Sequence, residues 1–139
     1  MRPITRRVRK SGVPPRRILV ADDSAPLRTT LRLLLSCSAP DVEVLEAADG
    51  FAALRVLDEG GVDILVCDLT MPGLDGRKLN HILASRPDRP DVIVMSGSAP
   101  ARGEAWMHDS VIGWLEKPFD PDALLELVNG PAPARQTAS

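Results

Sequence analysis

Apolar residues in this chain fall into short unbroken runs separated by stretches of helical spacing. Ile18 to Ala21 is one run, inside a first strand over 17–21. Ile64 to Cys67 is another, in a central strand predicted over 62–67, and Val92 to Met95 a third, in a strand over 91–95. Unbroken runs of this length suit strands buried on both faces. Residues 42–46 alternate only in part, as an edge strand does, and Ile112-Gly-Trp-Leu115 completes a set of five.

Between the runs the period changes to that of a helix. Leu27, Leu31, Leu34 and Leu35 share one face, with Arg28 and Arg32 on the other. Asp49-Gly50 opens a second helix that carries Leu54 and Leu57 and closes at Gly60-Gly61. Asp75 is placed to cap a third, which buries Leu79, Ile82 and Leu83. A fourth and weaker helix is expected over 100–110, where Gly103 costs about 1 kcal/mol against Ala. Asp120-Pro121 starts a fifth, with Leu124, Leu125 and Val128 inward and Asn129-Gly130-Pro131 as its stop. Strands alternating with helices call for an α/β fold, a parallel sheet covered on both faces. The pattern does not fix the strand order.

The strand ends gather polar chemistry. Asp22 and Asp23 follow the first strand, Asp68 the third, Ser96 the fourth and Lys117 the fifth. In open α/β sheets, ligands bind in the crevice at those carboxyl ends. Two carboxylates about 4 Å apart repel by roughly 4 kcal/mol at an effective dielectric of 20. Such a site holds protons or binds a cation, and hard oxygen donors suit Mg²⁺ better than zinc or copper. One carboxylate remains as a nucleophile toward phosphorus, while Lys117 and the Ser96 hydroxyl hold phosphoryl oxygens. Capping acids and a surface lysine would explain any one of these residues, but not all of them together.

Composition narrows the classes. The chain has 139 residues, enough for one domain with a proper core, and a formal charge of −2 that gives no general reason to expect nucleic acid. Two tryptophans, two phenylalanines and no tyrosine argue against a base-stacking surface. Cys37 and Cys67 lie in apolar contexts without metal-ligand spacing and read as buried thiols of a reducing compartment. No membrane span or signal peptide is apparent, so a cytoplasmic location is expected. Residues 1–15 carry Arg2, Arg6, Arg7, Arg9 and Lys10 and read as a flexible basic tail; residues 130–139 read as a disordered one.

Four pieces in order then carry a family resemblance: Asp22-Asp23; Asp68 with Met71-Pro72-Gly73 and Asp75-Gly76; Met95-Ser96-Gly97; and Lys117-Pro118-Phe119. Over residues 16–129 the chain resembles the receiver domain of two-component response regulators. The resemblance implies a flavodoxin-like three-layer fold, a doubly wound five-stranded parallel sheet of order 2-1-3-4-5. It implies Asp68 as phosphoacceptor, and Mg²⁺ on Asp22, Asp23, Asp68 and the backbone carbonyl of Thr70. Lys117 is then the phosphate-pairing lysine, and Ser96 the hydroxyl switch. Trp114 stands where the family usually has a rotating Tyr or Phe, and Thr70 and Ser98 where members tune phosphoryl lifetime. The implied donor is a histidine kinase or histidine phosphotransfer protein, with a downstream protein partner. Phosphorylation and dephosphorylation are self-assisted, without a separate substrate. The chain is expected to be a stand-alone receiver or one from a hybrid histidine kinase, monomer or weak homodimer, with no DNA-binding domain after Asn129. His81 and His108 are expected to be ordinary helix or loop residues.

Three other readings share some of these features. A haloacid-dehalogenase-type phosphatase uses a strand-end Asp nucleophile but places a second acid two residues on, where this chain has Thr70. A flavodoxin-like electron carrier needs a phosphate-binding loop where Asp22-Asp23 would repel phosphate. A degenerate receiver acting as a phosphorylation-independent scaffold would not need the full set of acids and lysine.

Overall fold

Successive residues of a strand point to opposite faces, so a sheet of apolar runs must be covered on both sides. The structure is a computed structural model describing residues 16–38, 41–97, 104 and 106–129. Its strands are β1 (Arg16–Ala21), β2 (Val42–Ala47), β3 (Ile64–Asp68), β4 (Asp91–Ser96) and β5 (Val111–Glu116). All pairs are parallel, in the order β2-β1-β3-β4-β5. The doubly wound α/β fold is therefore as the resemblance implied. The expected tails, 1–15 and 130–139, lie outside the described residues.

Helices α1 (Ala25–Ser38) and α4 (Pro121–Asn129) cover one face, and α2 (Gly50–Glu59) and α3 (Gly76–Ala84) the other. Alternation within the strands divides the core accordingly. Ile18, Val20, Ile64, Val66, Ile93 and Met95 pack with Leu31 and Leu35 of α1 and Leu124 and Val128 of α4. Leu19, Ala21, Leu65, Cys67, Val92 and Val94 pack with Ala53 and Leu57 of α2 and Leu79 and Leu83 of α3. The three central strands, β1, β3 and β4, are thus buried on both faces, and each ends at the same edge.

Local signals set the helix ends. Ser24 accepts the Leu27 amide through Oγ at the start of α1. Asp49 caps α2 by accepting the Ala52 amide at 2.8 Å, and Asp75 caps α3 by accepting that of Lys78 at 3.0 Å. Gly60 closes α2 at φ 83°, a left-handed conformation that suits glycine. Two expectations are corrected. The central strand begins at Ile64 rather than at 62, because Asp63 instead ties the loop to β1: its Oδ2 accepts the Arg17 amide at 2.7 Å. The expected fourth helix over 100–110 is not seen among the described residues, which hold four helices. Residues 104 and 106–110 form turns there, with Met107 N–H donating to Glu104 O and Val111 N–H to His108 O. Trp106 is buried against the α3 side of the core, so burial of one large ring replaces the helical face that the weak apolar period lacked. Residues 98–103 and 105 lie outside the description.

Cys67 is fully buried in β3 as expected, but the expected burial of Cys37 is also corrected: it is exposed on α1, near the helix end and off its apolar face. Burial pushes the Cys67 thiol well above the ordinary thiol range, and the charges of Asp68, Asp22 and Asp75 push it further. Maleimide should therefore modify Cys37 alone in the native protein at neutral pH, and both cysteines in urea. Intact mass reads the number of adducts; equal modification of both thiols under native conditions would contradict this packing.

Candidate functional site

Parallel strands all end at the same edge of a sheet, so residues far apart in sequence meet there. Asp22 follows β1, Asp68 ends β3, and Lys117 follows β5. Lys117 Nζ donates to Asp22 Oδ2 at 2.9 Å and to Asp68 Oδ2 at 3.0 Å. Its own amide donates to the Ser96 carbonyl at 2.7 Å, which holds the start of the loop after β5 against the end of β4. The Lys117–Pro118 peptide bond is cis.

The two acids are held in different ways. Asp22 has no exposed surface, and its Oδ1 accepts the Ser24 amide at 2.8 Å. Asp68 is buried too, and its Oδ1 accepts the Thr70 amide at 3.1 Å. The turn after Asp68 is tight. A Cβ on Gly76 would lie 2.3 Å from the Asp68 carbonyl oxygen, so only glycine lets α3 begin so close to the end of β3. Asp23 is exposed beside them. One carboxylate oxygen from each of Asp22, Asp23 and Asp68 lies within 4.8 Å of the others.

Electrostatics make this cluster a poised one. Burial raises the Asp68 carboxyl above its ordinary value, and the nearby Asp22 charge adds to that; the Thr70 amide and Lys117 pull it down without cancelling the rise. Burial would by itself lower the Lys117 ammonium, but its hydrogen bonds and charge interactions with Asp22 and Asp68 prevail and raise it. The lysine is thus firmly cationic, and neutralises part of a cluster that is still unfavourable for Asp68 to ionise in. Three hard oxygen donors around one point, one of them exposed, form a donor set that fits a divalent cation with room for water.

Structure and sequence agree on where most of the candidate residues gather. Asp22, Asp23, Asp68 and Lys117 meet in one cleft, with Thr70 at its rim through its amide. Ser96 is buried at the end of β4, one position beyond the Asp68–Met95 register pair. Trp114 stands apart. It pairs in register with Val94, two positions before the Ser96–Glu116 pair, and is 48% exposed on the sheet edge. Trp106, by contrast, is 5% exposed. Ser98 lies outside the described residues. His81 is exposed on α3. His108 is a loop residue whose Nδ1 accepts the Ser110 amide and whose Nε2 lies 3.1 Å from Asn80 Oδ1. Sequence reasoning missed Arg28, which it placed on an outer helix face. Nη1 of Arg28 donates to the backbone carbonyl of Asp22 at 2.7 Å. Its only signal was a position four residues past Ser24, one helical turn into α1.

Fold and cleft together define a flavodoxin-like α/β protein with an acidic, lysine-bridged site at the carboxyl ends of its strands. Residues 18–129 match the model of the response regulator receiver domain, and the chain belongs to that family. It is 47% identical over 113 residues to protein-glutamate methylesterase/protein-glutamine glutaminase 5 of Myxococcus xanthus (strain DK1622), covering 81% of this chain and 32% of that protein. It is 34% identical over 111 residues to the cyclic di-GMP phosphodiesterase response regulator RpfG of Xanthomonas campestris pv. campestris (strain 8004), covering 77% and 29%. The chain therefore spans less than a third of the length of these two relatives. Among solved structures it is similar to the receiver domain of Francisella response regulator 1452, with TM-score 0.72, 28% identity, and 82% and 93% of the two chains covered. The chemotaxis response regulator CheY4 of Vibrio cholerae shares the fold with TM-score 0.71 at 24% identity over 82% and 96%. No described helix is long and apolar enough to cross a membrane.

An Asp whose folded pKa is raised favours its protonated form in the fold. The stability this contributes is present below the ordinary value of 3.8 and is lost as pH rises through the raised folded value. At pH 7 the ionised Asp68 therefore opposes folding. In Mg²⁺-free buffer, Asp68→Asn should raise the melting temperature at pH 7 by a few degrees, and the gain should vanish below about pH 4. Thermal unfolding across pH checks this; a variant less stable than wild type at pH 7 would refute it.

Proposed function

We propose that this chain is a phospho-accepting receiver in a two-component phosphorelay. Asp68 is the acceptor, and phosphorylation alters a partner-binding face. Two-component signalling by phosphorylation is general for the family; the assignment to these residues is our reading. The observation that carries it is Lys117 Nζ standing between Asp22 and Asp68, at 2.9 and 3.0 Å. That geometry leaves a buried carboxylate beside a cation able to take one phosphoryl oxygen.

In the transfer step, an Asp68 carboxylate oxygen attacks the phosphorus of a phosphohistidine. The P–O bond forms as the P–N bond breaks, and the histidine nitrogen keeps the bonding electrons. Lys117 shifts from the two carboxylates toward the new phosphoryl oxygen. Asp22, Asp23, Asp68 and the Thr70 carbonyl are the groups proposed to hold Mg²⁺. When bound, that ion supplies charge neutralisation for the transferring phosphoryl group. Ser96 is proposed to donate its hydroxyl to the phosphoryl group, and Trp114 to respond by changing its exposure. No substrate apart from the chain itself is proposed, so the chain acts as a phosphoacceptor that assists its own turnover.

A histidine kinase or histidine phosphotransfer protein is the proposed donor. An apolar groove of about 440 Å³ lined by Leu27, Leu31, Leu34 and Phe119 opens beside Lys117 and offers a surface on which a protein donor can dock. The downstream partner is a protein whose identity the site does not specify. A phosphorylation-independent scaffold would have no use for a lysine that bridges two buried acids, and an aspartate-nucleophile phosphatase would need an acid where Thr70 stands.

Incubation with acetyl phosphate and Mg²⁺ should add one labile phosphoryl group, read by intact mass. Asp68→Asn should abolish the adduct while remaining folded, because the replacement is nearly isosteric. An adduct that persists in the variant would move the acceptor elsewhere, and hydrolysis of phosphate esters with turnover would favour the phosphatase.

Intrinsic fluorescence tests the proposed switch, since Trp106 and Trp114 are the only tryptophans and there is no tyrosine. Beryllofluoride with Mg²⁺ should change the emission. Trp106→Phe should keep most of the change and Trp114→Phe should lose most of it. A change that follows the buried Trp106 instead would assign the motion to the segment before β5 and leave Trp114 as edge cover.

A further inference from the structure

Every oxygen of Asp22 has a partner. Oδ2 accepts from Lys117 and Oδ1 from the Ser24 amide, both explained by the cleft itself. The third oxygen, the backbone carbonyl, accepts from Nη1 of Arg28 at 2.7 Å. A charged donor on a backbone carbonyl, next to a cluster of acids, calls for a separate account.

The Asp22 carbonyl belongs to the peptide group that also carries the Asp23 N–H. That group is planar, so whatever holds the oxygen also sets the direction in which the N–Cα bond of Asp23 leaves. Asp23 depends on this more than its neighbours do. Asp22 and Asp68 have their carboxylates tied by amides and by Lys117. Among the described residues, the Asp23 carboxylate is tied to none. Its aim toward the cluster comes from its backbone.

Arg28 is itself fixed. Its Nε donates to Glu46 Oε1 at 3.1 Å, and Arg32 Nε holds the other oxygen of the same carboxylate at 2.9 Å. The Arg28 side chain is mostly buried, and Glu46 sits near the end of β2. One planar guanidinium thus spans a carboxylate on β2 and a carbonyl at the end of β1. A lysine could reach either but not both, because it lacks the fork.

We propose that Arg28 is a positioning residue for divalent-cation binding. It clamps the Asp22 carbonyl so that Asp23 is presented to the cation, and Glu46 holds the clamp. This rests on the reading of Asp22, Asp23 and Asp68 as the metal cluster. Arg28 touches neither the cation nor the phosphoryl group.

The test is a Mg²⁺ titration of the full chain, followed by the backbone amide chemical shifts of Asp23 and Asp68, beside urea unfolding of the metal-free protein. Arg28→Ala should weaken Mg²⁺ binding about tenfold, the low end for groups that orient metal ligands. Arg28→Lys should recover part of that loss, and Glu46→Gln should weaken binding by less than Arg28→Ala. In an Asp23→Asn background, Arg28→Ala should have almost no further effect, because the coupling runs through Asp23. A purely structural arginine would lower the urea midpoint of the metal-free protein yet leave the Mg²⁺ dissociation constant within about twofold in both Arg28 variants, which would overturn the proposal. Full additivity with Asp23→Asn would overturn it too. If the wild-type chain binds no Mg²⁺, the metal reading itself fails and takes the proposal with it; if the wild type binds and the Arg28 variants bind equally well, only the role of Arg28 fails.

Discussion

The bridge from Lys117 to Asp22 and Asp68 is the interaction around which the site is arranged. Two carboxylates desolvated at the end of a parallel sheet repel each other and resist ionisation. A single ammonium within about 3 Å of both makes the arrangement tolerable. It does so across three strands, because Asp22 follows β1, Asp68 ends β3 and Lys117 follows β5. Their common edge exists only because the strands are parallel and stiffened by two separate apolar layers. The site is thus a consequence of the sheet's topology, and the buried runs of β1, β3 and β4 are what hold its geometry.

The bridge is incomplete in a useful way. Asp68 remains harder to ionise than a free carboxylate, even with Lys117 and the Thr70 amide on it. A carboxylate held in such a state is eased by a further cation nearby. Stability is given up locally at the acidic cluster, and the two core layers offset it. The cleft's outer support follows the same logic. Arg28 and Glu46 lie behind Asp22 and Asp23, so the flexible element of the cluster is steadied through its backbone and its carboxylate is left open.

One expected element, the helix over 100–110, departs from expectation. The segment 100–110 reads as a weak helix, with Pro100 suited to its start and Gly103 weakening its interior. In the fold, the burial of Trp106 against α3 governs its described part, and a long-range contact of that kind leaves no periodic trace. Trp114 pairs in register with Val94, two residues before the Ser96–Glu116 pair, and is exposed on the sheet edge. Its partner on β4 is a matter of strand register, which one sequence does not state.

Local rules determined much of this protein from the sequence alone. Apolar runs marked the strands, Asp49 and Asp75 marked helix starts, and acids and a lysine at strand ends marked the candidate cleft. Each of those signals acts within a few residues, through hydrogen bonds to nearby amides or through the period of side-chain burial. The tertiary structure alone decided which acid is sealed and which is open, that Lys117 bridges Asp22 and Asp68 across an intervening strand, and that Arg28 reaches back to the Asp22 carbonyl. Those outcomes depend on where chain segments up to 95 residues apart come together, and a guanidinium on an outer helix face looks the same in sequence whether it meets water or a backbone carbonyl.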